Sequence, residues 1–337
     1  MGQRIPKICV YGAGAIGCHL AGHLAQSKQC EVAIIDREKV VTVIKQRGIR
    51  VITPNNDVTV QVHATTRPEE LGIQDYVIIA TKIQQASTLL NALSHLIGPD
   101  TTILPPSTGI PYFFFHQLQG PFKDRHLPEI DPDDQQWRLM PPAQVLPVVF
   151  WYGAHSTEPG VTHQDGVQGH YPLGELNGQT SERARLLSHL LEQGGLRAPI
   201  TDNIRGEIWI KFANSLCWNP IGILTLADMN GIAAAPEVVT IIENMLSEID
   251  AIADSFGLKM PQSIAERIDF TLSTGQHKVS MLQDLERHRP LELDPFENSL
   301  AAVKNISGKP TPTIDIVLAL AKLRNTCYNA ENSKVAG

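Results

Sequence analysis

The chain has 337 residues, 42% hydrophobic and 19% charged, enough for about two domains with sizeable cores. A net charge of −7 argues against a nucleic-acid backbone or an acidic membrane surface as partner. The most apolar run, "VLPVVFWYGA" at 145–154, is too short for a membrane helix, which needs about 20 residues. Five scattered cysteines do not resemble a disulfide framework and suit a reducing compartment. The N-terminus "MGQRIPKICVYGAG" lacks a signal-peptide pattern, so a soluble, cytoplasmic protein is expected.

In chain order, "IPKICVYG" reads as a strand, "GAGAIG" as a tight loop and "CHLAGHLAQS" as a helix. "CEVAIID" is a second strand and "REKVVTVIKQRG" a second helix. "IRVIT" and "VTVQVHATT", separated by "PNND", suggest a hairpin. "DYVIIAT" is a further strand, "IQQASTLLNALSHLIG" a helix and "TTILPP" a strand. Strands alternating with helices imply a parallel sheet covered on both faces.

Regularity is lost after about residue 106, and the proline- and aspartate-rich stretch at about 116–142 reads as an inserted loop. "LPVVFWYGA", "GVTHQ" and "HYPLGEL" are expected to be strands closing the sheet, with a helix over 181–195. Helical patterns then dominate, at 204–219, 235–256, 261–273, 292–304 and 312–326. The expected architecture is an α/β domain over 1–203 followed by an all-α domain over 204–337.

"GAGAIG" at 12–17 follows a strand and opens a helix, the context a dinucleotide fingerprint requires. Gly12 permits the tight turn, Gly14 lets the backbone approach a pyrophosphate, and Gly17 allows close helix–strand packing. Free N–H groups of Ala13, Ala15 and Ile16 at the helix start can face the phosphates. Asp36 ends the second strand, 24 residues after Gly12, where a carboxylate takes the ribose hydroxyls of NAD. Arg37 follows it and can pair with the 2′-phosphate of NADP, so the two residues point to different cofactors.

In "GEIWIKFANSLCWNPIG" at 206–222, Lys211, Ser215 and Asn219 share one helix face, with Asn214 flanking it. A polar stripe among Ile208, Phe212, Leu216 and Trp218 is either a solvent-facing edge or a catalytic face. A second segment, "HKVSMLQDLERHRPLELDPFENSL", carries Ser280, Met281, Asp284 and Glu292. Pro290 can start a helix there, placing Glu292 in its first turn. Twelve histidines raise the question of a metal, but His155, His163 and His170 match no familiar ligand spacing, and no metal is expected. Cys217 is expected to be a buried, inert thiol. The aromatic run "PYFFF" suggests packing, or closure over a cofactor.

Together these segments resemble the ketopantoate reductase (2-dehydropantoate 2-reductase) family over most of the chain. "GAGAIG" matches its opening loop. "ATK" at 80–82 with Gln85 is similar to its "vK-x-x-Q" stretch, "WIKFANSLCWNP" to its "W-x-K-x-x-x-N-x-x-x-N-P" helix, and "SMLQD…LELD" to its "SMxxD…E-I-D" segment. The resemblance implies a Rossmann domain followed by a helical domain like the C-terminal domain of 6-phosphogluconate dehydrogenase, with the site in the cleft between them. It implies NADPH-dependent reduction of ketopantoate to (R)-pantoate, toward pantothenate and coenzyme A. By position, Lys211 is the catalytic lysine, Asn219 a substrate-side asparagine and Ser280 the substrate-binding serine. Glu292 matches the family's carboxylate near nicotinamide and substrate, and Lys82 its cofactor-contacting lysine.

The chain departs from the pattern at two places. Thr108 stands where the family has an asparagine touching cofactor and substrate. Ser215 stands at the first helix asparagine, with Asn214 one position earlier. Arg37 agrees with NADP(H), whereas Asp36 keeps NAD(H) open. Other readings are reduction of a different 2-oxo acid, oxidation of a 2-hydroxy acid, and a non-catalytic dinucleotide-binding regulator. A homodimer is an open question.

Overall fold

The computed structural model describes residues 4–81, 89, 92–106, 108–291 and 293–335, with backbone alone at 152, 166–168 and 329–335. The chain divides into two compact units: residues to 107 with 111–204, and residues 108–110 with 205–337.

In the first unit, β1 (Lys7–Tyr11), β2 (Glu31–Ile35), β5 (His63–Thr65), β6 (Tyr76–Ile79) and β7 (Thr102–Leu104) form a parallel sheet in the order β5-β2-β1-β6-β7. Ile8, Cys9, Val10 and Val77 are wholly buried, as expected of parallel strands covered on both faces. The strand order reverses between β1 and β6, which places the loops after them at the topological switch point where open α/β sheets bind ligands.

The hairpin and the closing strands belong elsewhere. β3 (Ile49–Thr53), β4 (Asn56–Val60), β8 (Trp151–Glu158) and β9 (Val161–His170) form a second sheet, ordered β4-β3-β9-β8. The expected strand "VTVQVHATT" is therefore two: β4 pairs antiparallel with β3, and after Gln61 and Val62 the chain joins the parallel sheet as β5. "LPVVFWYGA" and "HYPLGEL" do not close the parallel sheet. Around the β8–β9 hairpin, isolated bridges join Val145 to Ile103 of β7, Val148 to Leu173, and His170 and Leu173 to Arg197 and Ile200.

Helix α1 (Ala15–Ser27) packs against strands of both sheets, so every residue from Gly17 to Leu24 is buried. A helix covered all round carries no amphipathic stripe, and it must satisfy its polar side chains internally. His19 Nε2 pairs with Tyr171 Oη at 2.8 Å, and His23 Nδ1 with the Gly194 carbonyl at 2.6 Å. Burial pulls the His19 imidazole pKa down to about 2 and lowers that of His23. Helices α2 (Glu38–Arg47) and α4 (Glu182–Gln193) complete the regular layers. Half of the predicted helix over 83–98 lies outside the described residues.

The insert has its own order. Tyr112, Phe113, Phe114 and Phe115 are buried, so "PYFFF" is core. Tyr112 Oη donates to the Met140 carbonyl at 2.5 Å, and the Asp131 carboxylate accepts from Gln136 and Trp137 N–H at the start of α3 (Gln135–Leu139).

The second unit is helical: α5 (Ile204–Thr225), α6 (Met229–Ala233), α7 (Pro236–Ser255), α8 (Ile264–Leu272), α9 (Ser280–Glu286), α10 (Asp294–Ser307) and α11 (Pro312–Val335). The sequence pattern missed α6 and α9, each under two turns. The helix expected from 292 starts at Asp294 with Pro295 in its first turn, not at Pro290. Buried Arg267 pairs with Asp250, joining α8 to α7. The Glu248 carboxylate accepts from Thr313 and Ile314 N–H, capping α11.

Candidate active site

The glycine loop has the form the fingerprint demands. Gly12 has φ +109°, and a Cβ there would lie 2.8 Å from Thr81 Cγ2 and 3.0 Å from the Thr81 nitrogen. A Cβ on Gly17 would overlap the Gly12 carbonyl oxygen. Gly14 differs: it is exposed, and a Cβ there would meet nothing within 4 Å. α1 starts with no side-chain cap and no acidic residue in its first turn. Gly14, half-buried Ala15 and half-buried Ile16 thus present open backbone at a helix start, which fits a dinucleotide pyrophosphate.

Ala13 plays a different part from its neighbours. Its N–H donates to Asp36 Oδ2 at 2.6 Å, and its carbonyl accepts the Cys18 thiol proton at 3.3 Å. Asp36 Oδ1 accepts the Arg37 N–H at 2.7 Å. The Arg37 side chain is 90% exposed, with Nε 3.6 Å from Asp36 Oδ1. The structure therefore brings together Gly12, Ala13, Gly14, Gly17 and Asp36, beside Ala80 and Thr81. Lys82 lies outside the described residues.

On α5 the accessible residues are few. From Ile208 to Ile223 every residue is buried except Lys211, Asn214 and Ser215, which are half-buried. A helix covered over about four turns opens at one polar stripe with a lysine in it. Burial lowers the Lys211 ammonium pKa from 10.5 to about 8. The lysine remains partly accessible to solvent, yet the protein around it disfavours its charged form. Asn214 Oδ1 is buried with no hydrogen-bond partner among the described residues. A buried acceptor left unpaired costs about 1–3 kcal/mol, so this oxygen is suited to a donor supplied by a ligand.

Asn219 sits lower on the same helix and is 5% exposed. Its Oδ1 accepts from Met281 N–H at 3.2 Å and lies 3.4 Å from Ser280 Oγ. A Cβ on Gly222 would overlap Val279 Cγ2, so α5 and the start of α9 pack in close contact. Ser280, the first residue of α9, is exposed. Glu292 lies outside the described residues.

Thr108 is half-buried, in the segment grouped with the helical unit. That segment is pinned to α10: Ile110 N–H donates to Ser299 Oγ at 2.9 Å, while Ser299 donates to the Pro295 carbonyl at 2.6 Å. Gly109 has φ +77°, and any side chain there would overlap Ser299 Oγ. Sequence reading missed Ser299. The available signal was a serine on the apolar stripe Phe296, Leu300, Val303.

The remaining histidine and cysteine candidates have structural surroundings. Among the described residues, no three His, Cys, Asp or Glu side chains converge as metal ligands. His155 pairs with Asp165 at 2.6 Å and stacks on His163 at 5.1 Å between ring centroids. Cys217 is wholly buried, which pushes its thiol pKa well up. No described helix is long and apolar enough to cross a membrane.

Comparison with known proteins gives the family. The profile described as Ketopantoate reductase PanE/ApbA matches residues 8–178, and that of its C terminal matches 203–325. A 2-dehydropantoate 2-reductase of Mesorhizobium japonicum is 36% identical, over 96% of this chain and 100% of the relative. The crystal structure of a candidate ketopantoate reductase from Ralstonia solanacearum superposes with a TM-score of 0.88 at 29% identity, covering 97% of this chain and 99% of the other. D-mandelate dehydrogenase, solved with NADH and anilino(oxo)acetate, shares the fold at a TM-score of 0.79 and 23% identity, covering 96% and 99%. The chain belongs to the ketopantoate reductase family, as an oxidoreductase acting on CH–OH groups.

Proposed function

We propose that the protein reduces 2-dehydropantoate to (R)-pantoate, the step toward pantothenate and coenzyme A, with a nicotinamide dinucleotide held at the glycine loop. The observation that carries this reading is the polar stripe that interrupts the buried stretch Ile208–Ile223 of α5, where Lys211 sits with its pKa lowered to about 8 on the same stretch as the unpaired Asn214 Oδ1. When bound, the nicotinamide supplies hydride to the 2-oxo carbon. The Lys211 ammonium stabilises the negative charge that grows on the carbonyl oxygen and delivers the proton to it. A pKa near 8 suits this role, because the group is charged at neutral pH yet releases its proton readily. Asn214 Oδ1 accepts from the substrate hydroxyl. Ser280, held by Asn219, binds the substrate carboxylate or hydroxyl. Thr108 and Ser215 border the substrate, Glu292 orients it against the nicotinamide, and Lys82 and Thr108 contact the cofactor.

A second reading is favoured by Thr108 and Ser215, both shorter than the asparagines of the family pattern. Shorter side chains leave room for a bulkier 2-oxo acid, as the shared fold with D-mandelate dehydrogenase suggests. Turnover of a 2-oxo acid panel, aromatic members included, with NADH and NADPH tests both. Ketopantoate with the highest kcat/KM supports the first reading. An aromatic 2-oxo acid in that place replaces it with the second.

A further inference from the structure

We propose that Asp36 makes this chain select NAD(H) over NADP(H), by fixing a carboxylate where the two cofactors differ. The inference rests on reading the glycine loop as a dinucleotide cradle. NAD and NADP differ only at the adenosine ribose, where one carries a 2′-hydroxyl and the other a 2′-phosphate. In parallel α/β sheets of this topology that ribose lies at the end of the second strand, where an acidic residue takes its hydroxyls.

Asp36 occupies that end, one residue after β2, and cannot swing clear at no cost. One oxygen accepts Ala13 N–H at 2.6 Å and the other Arg37 N–H at 2.7 Å. Moving the carboxylate aside would break a hydrogen bond within the loop that faces the pyrophosphate. An ionised carboxylate offers about four acceptor sites. Two are used here, and the remainder suit the two donors of a ribose diol. A 2′-phosphate offers no donor and brings a charge of about −1.5 to −2 beside a fixed negative group.

Arg37 does not reverse this. Its side chain is 90% exposed, and its Nε lies 3.6 Å from Asp36 Oδ1, so its charge already faces the Asp36 carboxylate. The NADP(H) preference implied by the family resemblance therefore meets an opposing residue in this chain.

The test is calorimetric titration of the full-length protein with NADH and with NADPH, with no substrate present. The unsubstituted chain is expected to bind NADH at least tenfold more tightly. Asp36→Asn keeps an acceptor for Ala13 N–H and removes the charge, so the NADPH-to-NADH Kd ratio should fall at least tenfold. An unchanged melting temperature shows that the loop stays tethered. Equal or tighter binding of NADPH by the unsubstituted chain overturns the proposal, as does an Asp36→Asn ratio that does not move. Failure of both dinucleotides to bind overturns it together with the reading of the glycine loop.

Discussion

Asn219 on α5 and Met281 on α9 are joined by a hydrogen bond from the Met281 N–H to Asn219 Oδ1, 3.2 Å long and buried. The same oxygen lies 3.4 Å from Ser280 Oγ, so one side chain sets where α9 begins and where Ser280 stands. Asn219→Ala leaves the Met281 N–H without its acceptor. A loss of about 1–3 kcal/mol in chemical denaturation is expected. KM for the 2-oxo acid should rise as well, because Ser280 loses its support. Unchanged stability and KM would remove this role.

If Lys211 is the proton donor proposed above, its titration is expected to set the pH dependence of turnover. Its lowered pKa means that the ammonium needed for reduction is present below about 8 and is lost above it. Reduction at saturating substrate should fall about tenfold per pH unit beyond that point, if proton delivery limits the rate. Oxidation of the 2-hydroxy acid needs the neutral amine and should rise through the same pH. Lys211→Ala should lower kcat by about 100- to 10,000-fold and leave dinucleotide affinity unchanged. Near-normal turnover would reassign the proton donor.

Gly14 and Gly17 should separate binding from folding. Gly17→Ala forces a Cβ onto the Gly12 carbonyl oxygen, so both melting temperature and dinucleotide affinity should drop. Gly14→Ala points its Cβ into open space. It should keep the melting temperature and weaken dinucleotide binding at least about tenfold, because that space is where the proposed reading seats the pyrophosphate. Full affinity in Gly14→Ala would place the phosphates elsewhere.

Arg267 is buried and paired with Asp250, whose carboxyl is pushed up by burial and held back by the guanidinium. Arg267→Ala leaves the half-buried Asp250 carboxylate without its guanidinium partner. A loss of about 3–5 kcal/mol is expected for breaking such a pair, read by urea denaturation. A loss under about 1 kcal/mol would show that Asp250 is rescued by protonation or by water.

His19 and His23 predict acid sensitivity. Both have folded-state pKa values below the ordinary histidine value, that of His19 at about 2. The unfolded chain therefore binds more protons below about pH 6.5, and stability rises with pH through this range. It should be complete above about 6.5 and fall progressively below it. The double variant His19→Gln, His23→Gln should show a flatter melting temperature between pH 5 and pH 7. An equally steep profile would move the acid-sensitive groups elsewhere.

Much of this protein was legible in its sequence, because local period reports burial on one face or two. The alternation of short apolar runs with helices announced the parallel sheet, the glycine spacing announced the loop at its switch point, and Lys211 stood out in an apolar helix. Partners distant in the chain were not legible. Nothing local distinguishes β4 from β5 within "VTVQVHATT", since a strand's own pattern does not say which sheet will take it. His19 and His23 look like a polar interruption until Tyr171 and Gly194 supply their hydrogen bonds across about 150 or more residues of chain. Asn219 and Asp36 were visible as candidates, but their acceptors were committed only when Met281 and Ala13 folded against them. Local sequence marked most of the longer elements and most of the reactive groups. Tertiary structure decided which polar atoms are satisfied and which stay open to a ligand, because burying a polar atom is tolerable only where folding brings it a partner.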